Sequence, residues 1–202
     1  MKRQLVIQLL IVLLCGISSA NAQSKKKLKT IQDKDGNSYE IKSMPGKLTW
    51  MMSNLNVTVP DSYLYYNADS NALKYGRLYT WQVAQEACNQ LGEGWRLPTD
   101  AEWLKMTNAY GGVIGNSKDS GNAAYNALTI NGSAGFNATF GGRRDESRAY
   151  WQGKNFGLYW TATELDSNQA WLYIFNKRTK TIDRESEGID KRWALSVRCV
   201  KK

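Results

Sequence analysis

Residues 78–103 read LYTWQVAQEACNQLGEGWRLPTDAEW, and this stretch decides the fold class. Apolar residues between positions 84 and 91 recur at the spacing of one helical face, which predicts a helix that ends near Gly92. Pro98 closes a short extended piece, because proline disfavours helical geometry in the residue before it. The TDAE sequence that follows is a capping box, which begins a second helix. The stretch therefore predicts two helices joined by a tight turn.

The last third of the chain predicts antiparallel β-structure. Strands are expected at 158–163 and 169–176, and residues 193–200 form a closing strand. Both faces of 169–176 are apolar, which indicates a central strand. An Asp35-Gly36 pair between two β-prone stretches predicts an early hairpin. Together with the two helices, these strands predict an α+β fold.

Residues 111–135 are rich in Gly, Asn, Ser and Ala. They are predicted to form one long loop between the helices and the final sheet. A loop of this length in a compact domain is usually functional or mobile. We therefore expect it to be displayed at the surface.

The first 22 residues have the features of a signal peptide. Basic residues precede an apolar run that is too short to span a bilayer, and small residues follow it. Cleavage is predicted after Ala22, which leaves Gln23 first. The alternative is a lipoprotein anchored through Cys15, but Leu14 stands where a lipobox needs a small residue.

The amino-acid composition limits which partners the protein can bind and which catalytic chemistry it can carry out. Residues 23–30 form a predicted basic linker, and residues 31–202 form a single domain without a membrane span. The chain has 27 Lys and Arg against 18 Asp and Glu, a formal net charge of +9. For an exported protein this favours acidic polysaccharide, lipopolysaccharide or lipid headgroups over nucleic acid, unless the excess only solubilises the chain. Histidine is absent, which excludes His-dependent triads and His metal sites.

Two cysteines, Cys88 and Cys199, remain once the signal peptide is removed. In an exported protein, one cysteine on a helix face and one in a terminal strand indicate a disulfide. It would close a loop of roughly 110 residues, which contributes on the order of 4–5 kcal/mol in the chain-entropy model. The alternative is two buried free thiols.

Short motifs occur in a fixed order along most of the chain. They are DGN at 35–37, WM at 50–51, NL at 54–55, YGRLYTW at 75–81, GWRLPT at 94–99, EW at 102–103, GF at 135–136, GG at 141–142, YWTATE at 159–164, AW at 170–171 and SVRCV at 196–200. This series resembles the Fibrobacter succinogenes major paralogous domain, a family of exported bacterial proteins. Two departures are Arg96, where the family often has His, and Cys88, which lies further ahead of Trp95 than its usual counterpart.

The resemblance implies a branch of the C-type-lectin-like fold. In that fold a helix cysteine pairs with a cysteine in the last strand, as Cys88 and Cys199 would. The resemblance implies no particular biochemical activity, so function has to be argued from the residues.

The candidate ligand-binding residues are Arg143, Arg144, Arg148, Tyr150 and Trp151. Exposed aromatic rings beside arginine offer a stacking surface for sugar rings and a clamp for anionic groups. The alternative is that Trp151 plugs the base of the long loop.

The candidate metal ligands are Glu164, Asp166 and Asn168, three oxygen side chains within five residues after a strand. A hard cation such as calcium could use them. The alternative is a polar turn that caps the strand. No other cofactor is expected.

We expect an exported, non-enzymatic recognition module that binds a glycan or a cell-surface protein through the 111–135 loop and the 143–151 segment. One alternative is a structural or adhesive surface component without glycan binding. The other is a glycan-active enzyme that uses carboxylates such as Glu164, Asp166 and Asp145, since glycoside hydrolysis needs two of them.

Overall fold

A computed structural model of the protein describes residues 28–202. The predicted signal peptide, its cleavage site between Ala22 and Gln23, the alternative anchor Cys15 and most of the predicted linker lie outside these residues. Thr30, the last linker residue, already belongs to the first strand.

The strands are β1 (Thr30–Gln32), β2 (Ser38–Met44), β3 (Leu48–Met51), β4 (Ser62–Leu64), β5 (Arg77–Tyr79), β6 (Arg143–Arg144), β7 (Tyr150–Trp151), β8 (Phe156–Glu164), β9 (Gln169–Asn176), β10 (Thr181–Asp190) and β11 (Val200–Lys201). The α-helices are α1 (Ala72–Tyr75), α2 (Trp81–Asn89), α3 (Asp100–Asn108) and α4 (Asn122–Leu128). Across residues 28–202, no helix has both the length and the apolar character that crossing a membrane requires.

The predicted pair of helices is confirmed as α2 and α3. The Glu102 amide donates to Thr99 Oγ1 at 3.3 Å, and the Thr99 amide donates to Glu102 Oε2 at 2.9 Å, so both halves of the capping box form. Arg96 donates to both carboxylate oxygens of Glu102, at 2.8 and 2.6 Å. Burial raises the pKa of Glu102, but the bonds from Arg96 and Thr99 outweigh it and the net direction is downward. Arg96 therefore fixes the carboxylate that begins α3.

Two antiparallel sheets and two short ribbons confirm the α+β prediction. The first sheet has the order β1-β2-β3-β11, and the second has the order β10-β9-β8. β9 is therefore the central strand that its two apolar faces predicted. β4 pairs with β5 and β6 pairs with β7. The Asp35-Gly36 hairpin joins β1 to β2. The lectin-like resemblance stays a prediction.

Residues 194–200, the closing segment, hold these parts together, and all of them are buried. Leu195 exchanges two backbone hydrogen bonds with Tyr79, at 2.9 and 3.0 Å, and Val200 exchanges two with Arg96, at 2.8 and 3.0 Å. The residues between them bond to β8 and β3. One buried segment thus connects both sheets, the β4–β5 ribbon and the turn before α3.

The disulfide prediction is confirmed, and the alternative of two free thiols is wrong. Cys88 and Cys199 are joined by an S–S bond of 2.05 Å across a sequence separation of 111. Both cysteines are buried in a first apolar core that includes the face of α2. A second core surrounds Trp103, whose ring stacks on Tyr173 at 5.1 Å.

The segment at 111–135 is not the displayed loop that its composition predicted. It contains α4, and Val113, Ala124 and Leu128 are buried in the second core. The composition concealed this helix because it has only seven residues, which is too few to show a clear helical repeat of apolar positions. The polar residues 61–74, for which the sequence predicts no helix or strand, contain β4 and most of α1.

Candidate functional site

The candidate ligand residues 143–151 form a β-hairpin, the β6–β7 hairpin. Arg144 exchanges two backbone hydrogen bonds with Ala194, at 3.0 and 2.7 Å. The Gly142 amide donates to the carbonyl of Phe156 at 2.9 Å. The hairpin is therefore anchored to both the closing segment and β8.

Asp145 shapes the turn of this hairpin. Its Oδ1 accepts hydrogen bonds from Ser147 Oγ at 2.7 Å and from the Ala149 amide at 3.0 Å. The Ser147 bond is the main cause that lowers the pKa of Asp145. Arg148 lies exposed at the tip with a φ of 71°, a left-handed conformation that is uncommon for a non-glycine residue.

The hairpin divides the candidate residues between its two faces. Arg143 lies directly opposite Trp151, and Arg144 lies directly opposite Tyr150. Because successive residues of a strand point to opposite faces, Arg143 shares one face with Trp151, and Arg144 shares the other with Tyr150. The five candidate residues lie close together, but they do not form one flat surface.

Trp151 defines the first face. Its side chain is 50% exposed, yet its indole N–H donates to Asp145 Oδ2. On the same face the Arg143 guanidinium lies 4.1 Å from the ring centre of Trp193. Arg143 Nε is buried without a hydrogen-bond partner among residues 28–202, and burial lowers the pKa of Arg143. This face therefore presents a fixed, half-exposed ring beside a partly desolvated cation.

Tyrosines form the second face. The Arg144 guanidinium lies 3.9 Å from the ring centre of Tyr63 and 5.9 Å from that of Tyr150. Tyr66 is 64% exposed, and its ring centre lies 5.3 Å from that of Tyr150. Tyr150 Oη donates to Asn67 Oδ1 at 2.7 Å. Tyr63 and Tyr66 were not among the predicted site residues, although the dense YLYY run at 63–66 was a signal for them.

Strained backbone is concentrated in this region. Eleven non-glycine residues in the described part of the chain have a positive φ, and six of them lie at 61–67 or 148–154. They are Asp61, Tyr66, Asn67, Arg148, Gln152 and Lys154. Such conformations cost about 1–3 kcal/mol each and cluster at ligand sites. The strain therefore marks the β6–β7 hairpin and its tyrosine neighbours as a candidate site.

The candidate metal residues surround a cation from the chain itself. Lys191 Nζ donates to Glu164 Oε2 at 2.8 Å and to the backbone carbonyls of Asp166 and Ser167 at 2.7 and 3.1 Å. The Asp166 carboxylate accepts the Asn168 amide at 2.7 Å, as in a polar turn. Among residues 28–202, no group of three or more His, Cys, Asp and Glu side chains is placed to hold a metal ion.

The chain belongs to the Fibrobacter succinogenes major domain family, whose model matches residues 28–201. No curated protein matches the sequence. The family match confirms the resemblance that the ordered motifs indicated.

Proposed function

We propose that the protein is an exported, non-enzymatic recognition module that binds a glycan at the β6–β7 hairpin. The observation that carries this proposal is the half-exposed Trp151 ring, whose orientation Asp145 holds. A ring fixed in advance loses little conformational entropy when a sugar stacks on it. This favours a binding platform over a plug at the base of a loop.

The polar groups around Trp151 support the same proposal. Arg143 supplies a guanidinium on the same face, which suits hydroxyl or carboxylate groups of a sugar. The Tyr66 ring on the other face offers a second exposed aromatic surface. The 111–135 segment takes no part in this proposed site, since Val113, Tyr125 and Leu128 pack into the second core.

Export and the absence of catalysis are parts of the proposal. The disulfide supports an oxidising compartment, and the predicted signal peptide agrees with it. The carboxylates at the candidate sites have structural partners: Glu164 binds Lys191, and Asp145 binds the turn and Trp151. A general acid needs a raised pKa, whereas the pKa of Asp145 is lowered.

A glycan array probed with the full-length exported protein tests the proposal. We expect binding to at least one glycan, and a loss of about 30-fold or more in affinity for Trp151→Ala, as for other aromatic hot spots. Trp151→Phe should retain part of the affinity, and Leu165→Ala, which truncates a different exposed apolar residue, should change it less than twofold. Equal binding by wild type and Trp151→Ala would refute the hairpin as the site.

A structural or adhesive role is the second candidate, and one observation favours it. Leu73 is 97% exposed and Ile130 is 52% exposed, and both line a cavity of about 540 Å³. Exposed apolar residues beside a cavity suit a protein partner. If the array gives no signal and Leu73→Asp abolishes co-assembly with a surface protein, this role replaces glycan binding. Sugar release that disappears in Glu164→Gln would instead establish an enzyme.

A further inference from the structure

Two turns meet at one end of the second sheet, just beyond Trp151. Residues 152–155 connect β7 to β8, and residues 177–180 connect β9 to β10. The Lys177 amide donates to the carbonyl of Asn155 at 2.9 Å. Phe156 at the start of β8 also pairs with the last residue of β9. The two turns are therefore fixed relative to each other.

A cavity of about 570 Å³ lies between these turns. It is lined by Asn155, Phe156, Asn176, Lys177, Arg178 and Thr179. None of these side chains is a carboxylate, whereas two are cations, two are amides and one is an aromatic ring. Such a set offers hydrogen-bond donors and an apolar surface to a negatively charged ligand.

Positive charge is concentrated around this cavity. Lys154, Lys177, Arg178 and Lys180 are all exposed. The four ion pairs within residues 28–202 all involve other cations. Lys154 and Lys180 have φ values of 70° and 55°, the left-handed region that L-residues seldom adopt. Within residues 28–202, none of the four exposed cations Lys154, Lys177, Arg178 and Lys180 is paired with a carboxylate. We call these four side chains the basic turn surface.

We propose that the basic turn surface binds the charged groups of a polyanionic saccharide, and this inference rests on the proposed glycan recognition at Trp151. The turn at 152–155 begins directly after Trp151, so one extended sugar chain would reach both places. A single exposed ion pair contributes little free energy, so a polymer with repeated charges suits a surface of four cations better than a single anion does.

Affinity for polygalacturonate, measured with the full-length exported protein at low and high salt, tests this inference. The variant Lys177→Gln/Arg178→Gln/Lys180→Gln should bind about tenfold more weakly at low salt and lose most of the salt dependence. The matched control Lys34→Gln/Lys47→Gln/Lys105→Gln removes the same charge from exposed lysines elsewhere and should change affinity less than twofold. Equal losses in both triple variants would overturn the inference, because net charge alone would then explain binding.

The methyl-esterified polymer, which has the same sugar chain without its charges, separates the two proposals. We expect its weaker binding to depend on Trp151 and to be unaffected by the basic turn substitutions. The hairpin proposal fails, and the basic turn surface stands, if two results are found together. Trp151→Ala would have to leave the affinity for both polymers unchanged, and the basic turn variant would have to weaken binding of polygalacturonate alone. If the basic turn variant binds polygalacturonate as wild type does, the basic turn surface fails alone. Binding of neither polymer by wild type would refute the inference.

Discussion

Arg198 offers a demanding test of how this fold is held together. It lies in the closing segment, is fully buried, and donates only to neutral oxygens. Its Nε donates to Asn54 Oδ1 at 2.7 Å, and its Nη atoms donate to the carbonyls of Met51, Phe136 and Asn137 at 3.1, 2.6 and 2.8 Å. Burial lowers the pKa of Arg198 to about 10. One side chain therefore joins the closing segment to two distant parts of the chain.

Replacing Arg198 with methionine removes all of these hydrogen bonds together with the buried charge. Methionine has a similar length but leaves four acceptors without their donors, at about 1–3 kcal/mol for each buried one. Removing the buried cation offsets several kcal/mol, because an ion out of water carries a large desolvation penalty. We expect a net loss of about 3–5 kcal/mol, a large part of the 5–15 kcal/mol typical of a domain.

Urea denaturation measures this loss. With a slope of about 2 kcal/mol/M, the midpoint should fall by about 1.5–2.5 M in Arg198→Met. Arg198→Lys should also lose stability, because an ammonium cannot reproduce the fork of donors that a guanidinium offers. Arg192→Met, which removes an exposed arginine from the same part of the chain, should lie within about 0.5 kcal/mol of wild type. An Arg198→Met protein as stable as wild type would refute the reasoning.

Three further predictions follow from the fold. Replacing Cys88 and Cys199 with alanine should lower the free energy of unfolding by about 4–5 kcal/mol, and a loss below about 1 kcal/mol in urea would contradict the loop-constraint argument. Because the chain has no histidine, its stability should be flat between about pH 5 and 8. The folded pKa of Glu102 lies below its ordinary value of 4.5. The stability that Glu102 contributes is therefore fully present above pH 4.5 and is lost as the pH falls through the folded pKa. In acid melts Glu102→Gln should therefore lose less stability than wild type, and equal losses would exclude this role. Gly153→Ala would place a Cβ in steric overlap with the Tyr65 ring, and overpacking of this kind costs about 1–3 kcal/mol. The melting temperature of this variant should therefore fall, and an unchanged melt would contradict the close approach of Gly153 to Tyr65.

Local patterns allowed the framework to be predicted from the sequence. The capping box at Thr99 and the apolar faces of 169–176 act over a few residues, and both are confirmed. The Cys88–Cys199 bond joins distant positions, but only two cysteines were left to pair. Each of these features has few structural alternatives, which is why the sequence was enough to predict it.

The 111–135 segment and the tyrosine face could not be predicted in the same way. α4 has seven residues, and its buried contacts come from elements distant in the sequence. Tyr66 gains its role from Tyr150, more than 80 residues later, and from a left-handed backbone that no sequence rule assigns to tyrosine. The split of the hairpin residues between two faces needed the observed register of β6 with β7.

The candidate metal site could also be predicted only in part from the sequence. Oxygen-bearing residues at 164–168 led to the expectation of a cation, and a cation does lie there, the ammonium of Lys191. Lys191 Nζ also lies 4.6 Å from the ring centre of Trp81, so the charge is held between oxygens and an aromatic face. An ammonium satisfies three acceptors with three donors, whereas calcium needs six to eight oxygen ligands. The sequence thus indicated that this turn holds a positive charge, but the charge comes from Lys191, the residue that directly follows β10.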